Sequence, residues 1–318
     1  ADTYPESELY MGFDGGSGFE FWLPHFSPKD VELPSKAADN VHTPGFKVMN
    51  GLVHGDRRSH VILSPWAVVA GSNHVCECIA IAVNTCFMDH GKLPRRLTVQ
   101  ADNASVNHSM LVLSFLGLYV LFGCVQSARL RFMLENHAHD IYDAFHAIHK
   151  RAVEDNTFYT LEEMMAIIRL AHKARAERTS RAASQASQAA AGGMRAASAV
   201  DSTIGPDVLV STMFDVRDIW EWLFPGRDYS RGACVYYACI AGYRDFEMRR
   251  NMEDPDNAKV ELWAKRFMTS KTYEYVGTLT TWQLFKSVAR HRPGVAPDTT
   301  TAAKGKSCAE QTTKLNRL

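Results

Sequence analysis

Between residues 95 and 134 the chain reads as strand, helix, strand, and that helix constrains the fold more than any other segment. Residues 107–121 (NHSMLVLSFLGLYVL) are apolar almost all round, so the helix must be covered on most sides. At about this length it reads as a buried helix and not as a membrane span. A short strand before it, residues 95–100, alternates weakly around Leu97 and Val99 and runs into Gln100-Ala101-Asp102-Asn103. A second strand, residues 128–134, follows the helix stop at Gly123. An acid at the carboxyl end of a parallel strand lies where open α/β sheets place their ligands.

The flanking segments extend this pattern. Residues 10–14 and 18–24 look like a strand interrupted by glycines, and Phe46–His54 and residues 59–63 look like a hairpin about residues 55–58. Apolar residues at 75, 79, 80, 83 and 87 give residues 75–90 helical spacing, with Ser72-Asn73 expected as cap and Gly91 as stop. Residues 140–154 carry Ile141, Phe145 and Ile148 on one stripe, and residues 160–175 open with Thr160 and Glu163 as a capping box. The order is β-β-β-α-β-α-β-α, which predicts an α/β fold: a mixed sheet with helices on its faces.

Past Lys173 the composition collapses to Ala, Ser, Gln, Gly and Arg, read as an exposed helix fraying into a linker. The expected organisation is a core over 1–172, a linker over 173–207, an α+β accessory region over 208–292 and a disordered tail over 293–318. In the accessory region, strands are expected near 232–241 and 271–279 and a helix near 260–267.

Charge and cysteine content narrow the chemistry. Lys plus Arg equals Asp plus Glu at 35 each, so no overall basic field advertises a polyanion, although a local groove remains open. The seven cysteines form no CxxC set, which speaks against a zinc knuckle or disulfide framework and for reduced intracellular thiols. The expected compartment is nuclear or cytoplasmic, with no membrane partner.

Three acids stand where a metal could use them: Asp14 on the first strand, Asp102 at the end of the fourth, and Asp143 on the helix after the fifth. Hard divalent ions prefer carboxylate oxygens, and two such ions can drive phosphodiester cleavage. The bland alternative is that each acid caps a helix or closes an Asx-turn. His137, His139 and Asp140 precede Asp143, and His139 with Asp143 is an i,i+4 pair that fits either a transition metal or a simple bond across one helical turn. His146 and His149 extend the cluster and fit ordinary surface positions as well. Arg129 and Arg131 share a strand face, where phosphate contact and plain solvent exposure are both open. The aromatics of the C-terminal region suit a core or a stacking platform for bases.

Several of these positions together resemble a transposon-associated domain of uncharacterised function (DUF7869-like) found in protists and dinoflagellates, itself similar to a ribonuclease-H-like transposase or integrase core. The matching residues are Asp14 with Leu23-Pro24, His54-Gly55, Ser72-Asn73, the Gln100-Ala101-Asp102-Asn103 strand end, and the run from Asn136 to Phe145. The resemblance covers residues 10–155 and, more loosely, 208–290. It implies a ribonuclease-H-like mixed sheet and metal-dependent phosphoryl transfer on nucleic acid, DNA foremost. Asp14 and Asp102 would hold Mg2+ or Mn2+, and Asp143 would complete the site, with Asp140 at the preceding acidic position. His137 or His139 would orient a carboxylate or water. Departures from the family pattern fall at Ala104 to Met110, where a Glu and a Lys-Asn are replaced, and at Asn136, Ala138 and Ile141. These losses leave two alternatives open: a catalytically inactive nucleic-acid-binding or scaffold protein of the same fold, and a zinc-dependent hydrolase using His137, His139 and Asp143.

Overall fold

A computed structural model gives the architecture, describing residues 7–16, 21–27, 44–54, 58–102, 104–132, 139–191, 207–219, 223, 242–251, 259–267 and 269–278. Its strands are β1 (Glu8–Gly16), β2 (Phe46–His54), β3 (Arg58–Pro65), β4 (Arg96–Ala101), β5 (Ser127–Phe132), β6 (Asp207–Thr212), β7 (Asp245–Asn251), β8 (Lys259–Lys265) and β9 (Glu274–Thr278). The helices are α1 (Ser72–His90), α2 (Met110–Leu121), α3 (His139–Glu154) and α4 (Leu161–Ala191). Among the described residues the strands form one mixed nine-stranded sheet in the order β6-β3-β2-β1-β4-β5-β7-β8-β9. The protein is therefore an α/β fold. No helix among the described residues is long and apolar enough to cross a membrane.

The chain divides into two compact units. The first comprises Ala1–Tyr4, Met11–Val69 and Asn136–Asp215, and the second Pro5–Tyr10, Ala70–Glu135 and Val216–Leu318, so β1 contributes to both.

In the first unit β2 and β3 are antiparallel, with Phe46 opposite Pro65 and Leu52 opposite Ser59. β6 runs parallel to β3, from Arg58 opposite Asp207 to Leu63 opposite Thr212. Helix α4 opens with the expected capping box: the Glu163 amide donates to Thr160 Oγ1 at 3.2 Å, and the Thr160 amide donates to Glu163 Oε2 at 3.1 Å. It then continues to Ala191, well past residue 175, because alanine favours helix even where there is little to bury.

In the second unit β4 and β5 are parallel, joined through α2. Every residue of α2 except Tyr119 is buried, as its unbroken apolar surface demands. It starts at Met110, three residues after the expected position, because Ser109 is its cap: the Ser109 hydroxyl accepts from the Val112 amide at 3.3 Å. Helix α1 has Gly71 at its N-cap with no side-chain cap, so Ser72-Asn73 does not play that role. Ser72 lies inside the helix, and its hydroxyl donates to the Val106 carbonyl at 2.8 Å. Gly91 ends α1 as expected, at φ 69°, a left-handed conformation that glycine adopts without penalty.

The C-terminal strands make no separate sheet. β7 adds antiparallel to β5, followed by β8 and β9, while β6 pairs with β3. Each addition pairs an edge whose amides and carbonyls would otherwise lack partners. The helix expected near residues 260–267 is strand β8 instead. Val260, Leu262 and Ala264 are buried and Glu261, Trp263 and Lys265 are not, a period of two that a helix cannot give. The strand expected near 232–241 and the tail from 293 lie outside the described residues.

Candidate carboxylate site

On β1 the side chains alternate. Leu9, Met11 and Phe13 are buried on one face, so Gly12 and Asp14 share the other. Gly12 has no room for a side chain: a Cβ there would fall 1.5 Å from the Tyr142 hydroxyl oxygen and 2.8 Å from Tyr142 Cζ. Tyr142 is itself buried, on the first turn of α3. This close approach brings the start of α3 onto the face of β1 that carries Asp14. Asp14 is half-buried there, and Asp143, next to Tyr142, is exposed. His139 and Asp140 are the first two residues of α3, so His139 and Asp143 lie one helical turn apart. His137 lies outside the described residues, as do the side chains of His139 and Asp140.

Asp102 belongs to the second unit, one residue past β4. Its Oδ1 accepts from the Ala104 amide at 3.0 Å and from the Asn107 side-chain amide. The carboxylate thus closes the turn that leads into α2, as an Asx-turn does. Both bonds fall on one oxygen. Asn103 lies outside the described residues. Among the described residues no group of three or more His, Cys, Asp and Glu side chains is arranged to hold a metal ion.

Two further polar clusters join residues that the sequence did not link. In the first unit three imidazoles form a chain between α3 and α4: His149 Nε2 is 3.0 Å from His146 Nδ1, and His149 Nδ1 is 3.4 Å from His172 Nε2. His149 is buried, not a surface residue, and Phe145 and Phe21 pack against it. Because it uses both ring nitrogens, the trio is a relay and not a convergent ligand set. Burial, reinforced by the neighbouring imidazoles, holds His149 well below the usual histidine range. Burial and the Arg175 charge lower His172 to about 4. The i,i+3 pair His146 and His149 was visible in the sequence, but nothing linked it to His172.

In the second unit the buried polar groups are ion pairs. Glu77 on α1, only 8% exposed at its side chain, takes both Nε and Nη2 of Arg217, and the Arg217 amide donates to the same carboxylate at 3.1 Å. Arg129 and Arg131 on β5 are not simply solvated. Arg129 meets Asp245 at 3.5 Å and Glu247 at 3.9 Å, and Arg131 meets Asp245 at 3.5 Å. Burial raises the thiols of Cys76 and Cys78, which keeps them protonated and poor nucleophiles.

Comparison with known families finds the Domain of unknown function (DUF7869) at residues 36–192. That span holds Asp102, His137, His139, Asp140, Asp143 and the histidine chain, but neither Asp14 nor strands β6 to β9. No curated protein and no solved structure matches the chain.

Proposed function

We propose that this chain is a ribonuclease-H-like core of transposon origin that carries out metal-dependent phosphoryl transfer on nucleic acid, with DNA as the first choice. The observation that carries this reading is the seating of Tyr142 against Gly12, which puts the acid-bearing first turn of α3 on the Asp14 face of β1.

The donor type suits a hard divalent ion, but among the described residues the three carboxylates do not form a ready-made ligand group. Carboxylate oxygens suit Mg2+ or Mn2+, and Asp102 keeps one oxygen outside its two hydrogen bonds. Asp14, Asp102 and Asp143 would hold the ion, with Asp140 and His137 as further candidates. Such an ion would supply activation of an attacking water or 3′-hydroxyl and stabilisation of the leaving oxygen. Asn107 and the Ala104 amide fix the Asp102 carboxylate and so orient it. His139, one turn before Asp143, would orient a carboxylate or a water. No covalent protein intermediate is required. Work on nucleic acid would place the protein in the nucleus or cytoplasm.

The second reading is an inactive nucleic-acid-binding protein of the same fold. The Asx-turn at Asp102 favours it, because turn closure alone accounts for that residue. Calorimetric titration with Mn2+ and a plasmid-nicking assay, each on wild type and Asp102→Asn, separate the two. The preferred reading expects binding and nicking that Asp102→Asn abolishes. Binding without nicking supports the inactive protein, and no binding overturns the metal site.

A further inference from the structure

The half-buried polar face of the second unit's sheet carries its own ordered array. β5 and β8 alternate in burial, and Phe246 and Met248 of β7 join their buried apolar positions. On the opposite face, β7 and β8 place Glu247 opposite Trp263 and Arg249 opposite Glu261, and β8 and β9 place Trp263 opposite Tyr275. The Tyr273 hydroxyl is anchored, donating to Asp245 Oδ1 at 3.1 Å and accepting from Arg129. Its ring lies among three cations: Lys265 Nζ 4.1 Å, Arg129 Cζ 5.4 Å and Arg249 Cζ 5.5 Å from the centroid. Arg249 also lies 5.5 Å from the Trp263 ring, and Trp263 meets Tyr275 edge to face at 5.4 Å. The Trp263 indole is fixed in turn, donating to Glu261 Oε2 at 3.0 Å.

The charges are layered. Arg129, Arg131, Arg249 and Lys265 stand against Asp245, Glu247 and Glu261, four cations to three acids. Asp245 and Glu247 are buried, whereas the Arg249 side chain is 44% exposed. Arg249 therefore stands outside Asp245 and Glu247, while Glu261 is half-buried at the same level as Lys265. Tyr275 is 54% exposed, so much of its surface is open beside the fixed Trp263.

We infer that the face formed by Arg249, Trp263, Lys265, Tyr273 and Tyr275 binds single-stranded nucleic acid. A base would stack on the exposed Tyr275 ring beside Trp263 while phosphates meet Arg249 and Lys265. Tyr275, packed edge to face on the hydrogen-bonded Trp263, loses little freedom on stacking, and every base offers a π-face, so the surface needs no sequence preference. Bases within a duplex are already stacked on each other, which makes a single strand the better fit. The small charge surplus implies few phosphate contacts: about two, giving a slope of log K against log salt of about −1.4. This inference shares the nucleic-acid substrate class proposed above but does not require the carboxylates.

Fluorescence anisotropy with labelled dT12, U12 and a 20-base-pair duplex, in EDTA, tests it on the full chain. Wild type should bind one or both single strands more tightly than duplex, the dT12 and U12 arms deciding between DNA and RNA. Tyr275→Ala should weaken single-strand binding about tenfold, the low end of one base's stacking energy, and Tyr275→Phe should not. Arg249→Gln should reduce the salt slope by about 0.7. EDTA removes divalent ions, so strand binding in this assay is read without any metal at the carboxylates, and loss of metal binding and loss of strand binding can be told apart. Circular dichroism on each variant confirms folding. Absence of single-strand binding, preference for duplex, or a Tyr275→Ala affinity equal to wild type overturns the inference.

Discussion

The two units solve the same problem in opposite ways. Each buries polar side chains, but the first buries neutral imidazoles, His149 and His172, and the second buries compensated charges, Glu77 with Arg217 and Asp245 with Arg129 and Arg131. A neutral ring needs only a hydrogen-bond partner, whereas a buried charge needs a counter-charge and hydrogen bonds for its remaining valences. The first arrangement is vulnerable to protons and the second to the loss of a partner.

The largest effect should come from breaking a charge pair. Arg217→Met strands the Glu77 carboxylate in a nearly buried position and should cost about 3 kcal/mol by urea unfolding. Glu77→Gln should cost less, about 1–2 kcal/mol, because Arg217 is 31% exposed and can turn to water. Equal costs would show that solvent access does not govern this pair.

Acid should act on the histidine chain next. Folding lowers both pKa values, so between the ordinary histidine value of 6.5 and the folded value the unfolded chain binds protons that the native protein refuses. Stability contributed by the neutral rings is therefore complete above pH 6.5 and declines as the pH falls, down to about 4 for His172. From pH 7 to pH 5 the loss should be about 2 kcal/mol for His172 alone. His172→Phe should flatten that slope.

Glu247 of the second unit responds later. Burial would raise Glu247, but its bond to Arg249 and the charges of Arg249 and Arg129 outweigh that and lower it. Its contribution is thus retained above the ordinary value of 4.5 and lost only as the pH falls through the lower, folded value. Urea midpoints that match at pH 7 and pH 5 would break the contrast.

Gly12→Ala should cost about 1–2 kcal/mol, since the added methyl must displace Tyr142. Combined with Tyr142→Ala, the penalties should fail to add, and simple additivity would separate α3 from the Asp14 face of β1. The smallest expected effect is that of Ser109→Ala, about 1 kcal/mol for the lost cap of α2, with little change between pH 7 and pH 5.

How much of this was legible depends on distance along the chain. The strand-helix-strand run about α2, the Gly91 stop and the Thr160–Glu163 capping box rest on contacts within a few residues, and each formed as read. β8 was legible too, since Val260, Leu262 and Ala264 alternate strictly, a period of two that excludes the helix expected there. Asp102 was found by its place at a strand end, and its turn-closing role was among the readings left open.

By itself, then, the sequence determined the alternation of strands and helices up to α4 and which of their faces are apolar, because periodicity and capping act over one or two turns. Only the tertiary structure decided the partners of the polar groups. His172 meets His149 across 23 residues, Asp245 meets Arg129 across 116, and Arg217 meets Glu77 across 140. A buried histidine, aspartate or arginine carries no local mark of the distant group that makes its burial affordable. That pairing exists only once the sheet and helices have closed around it.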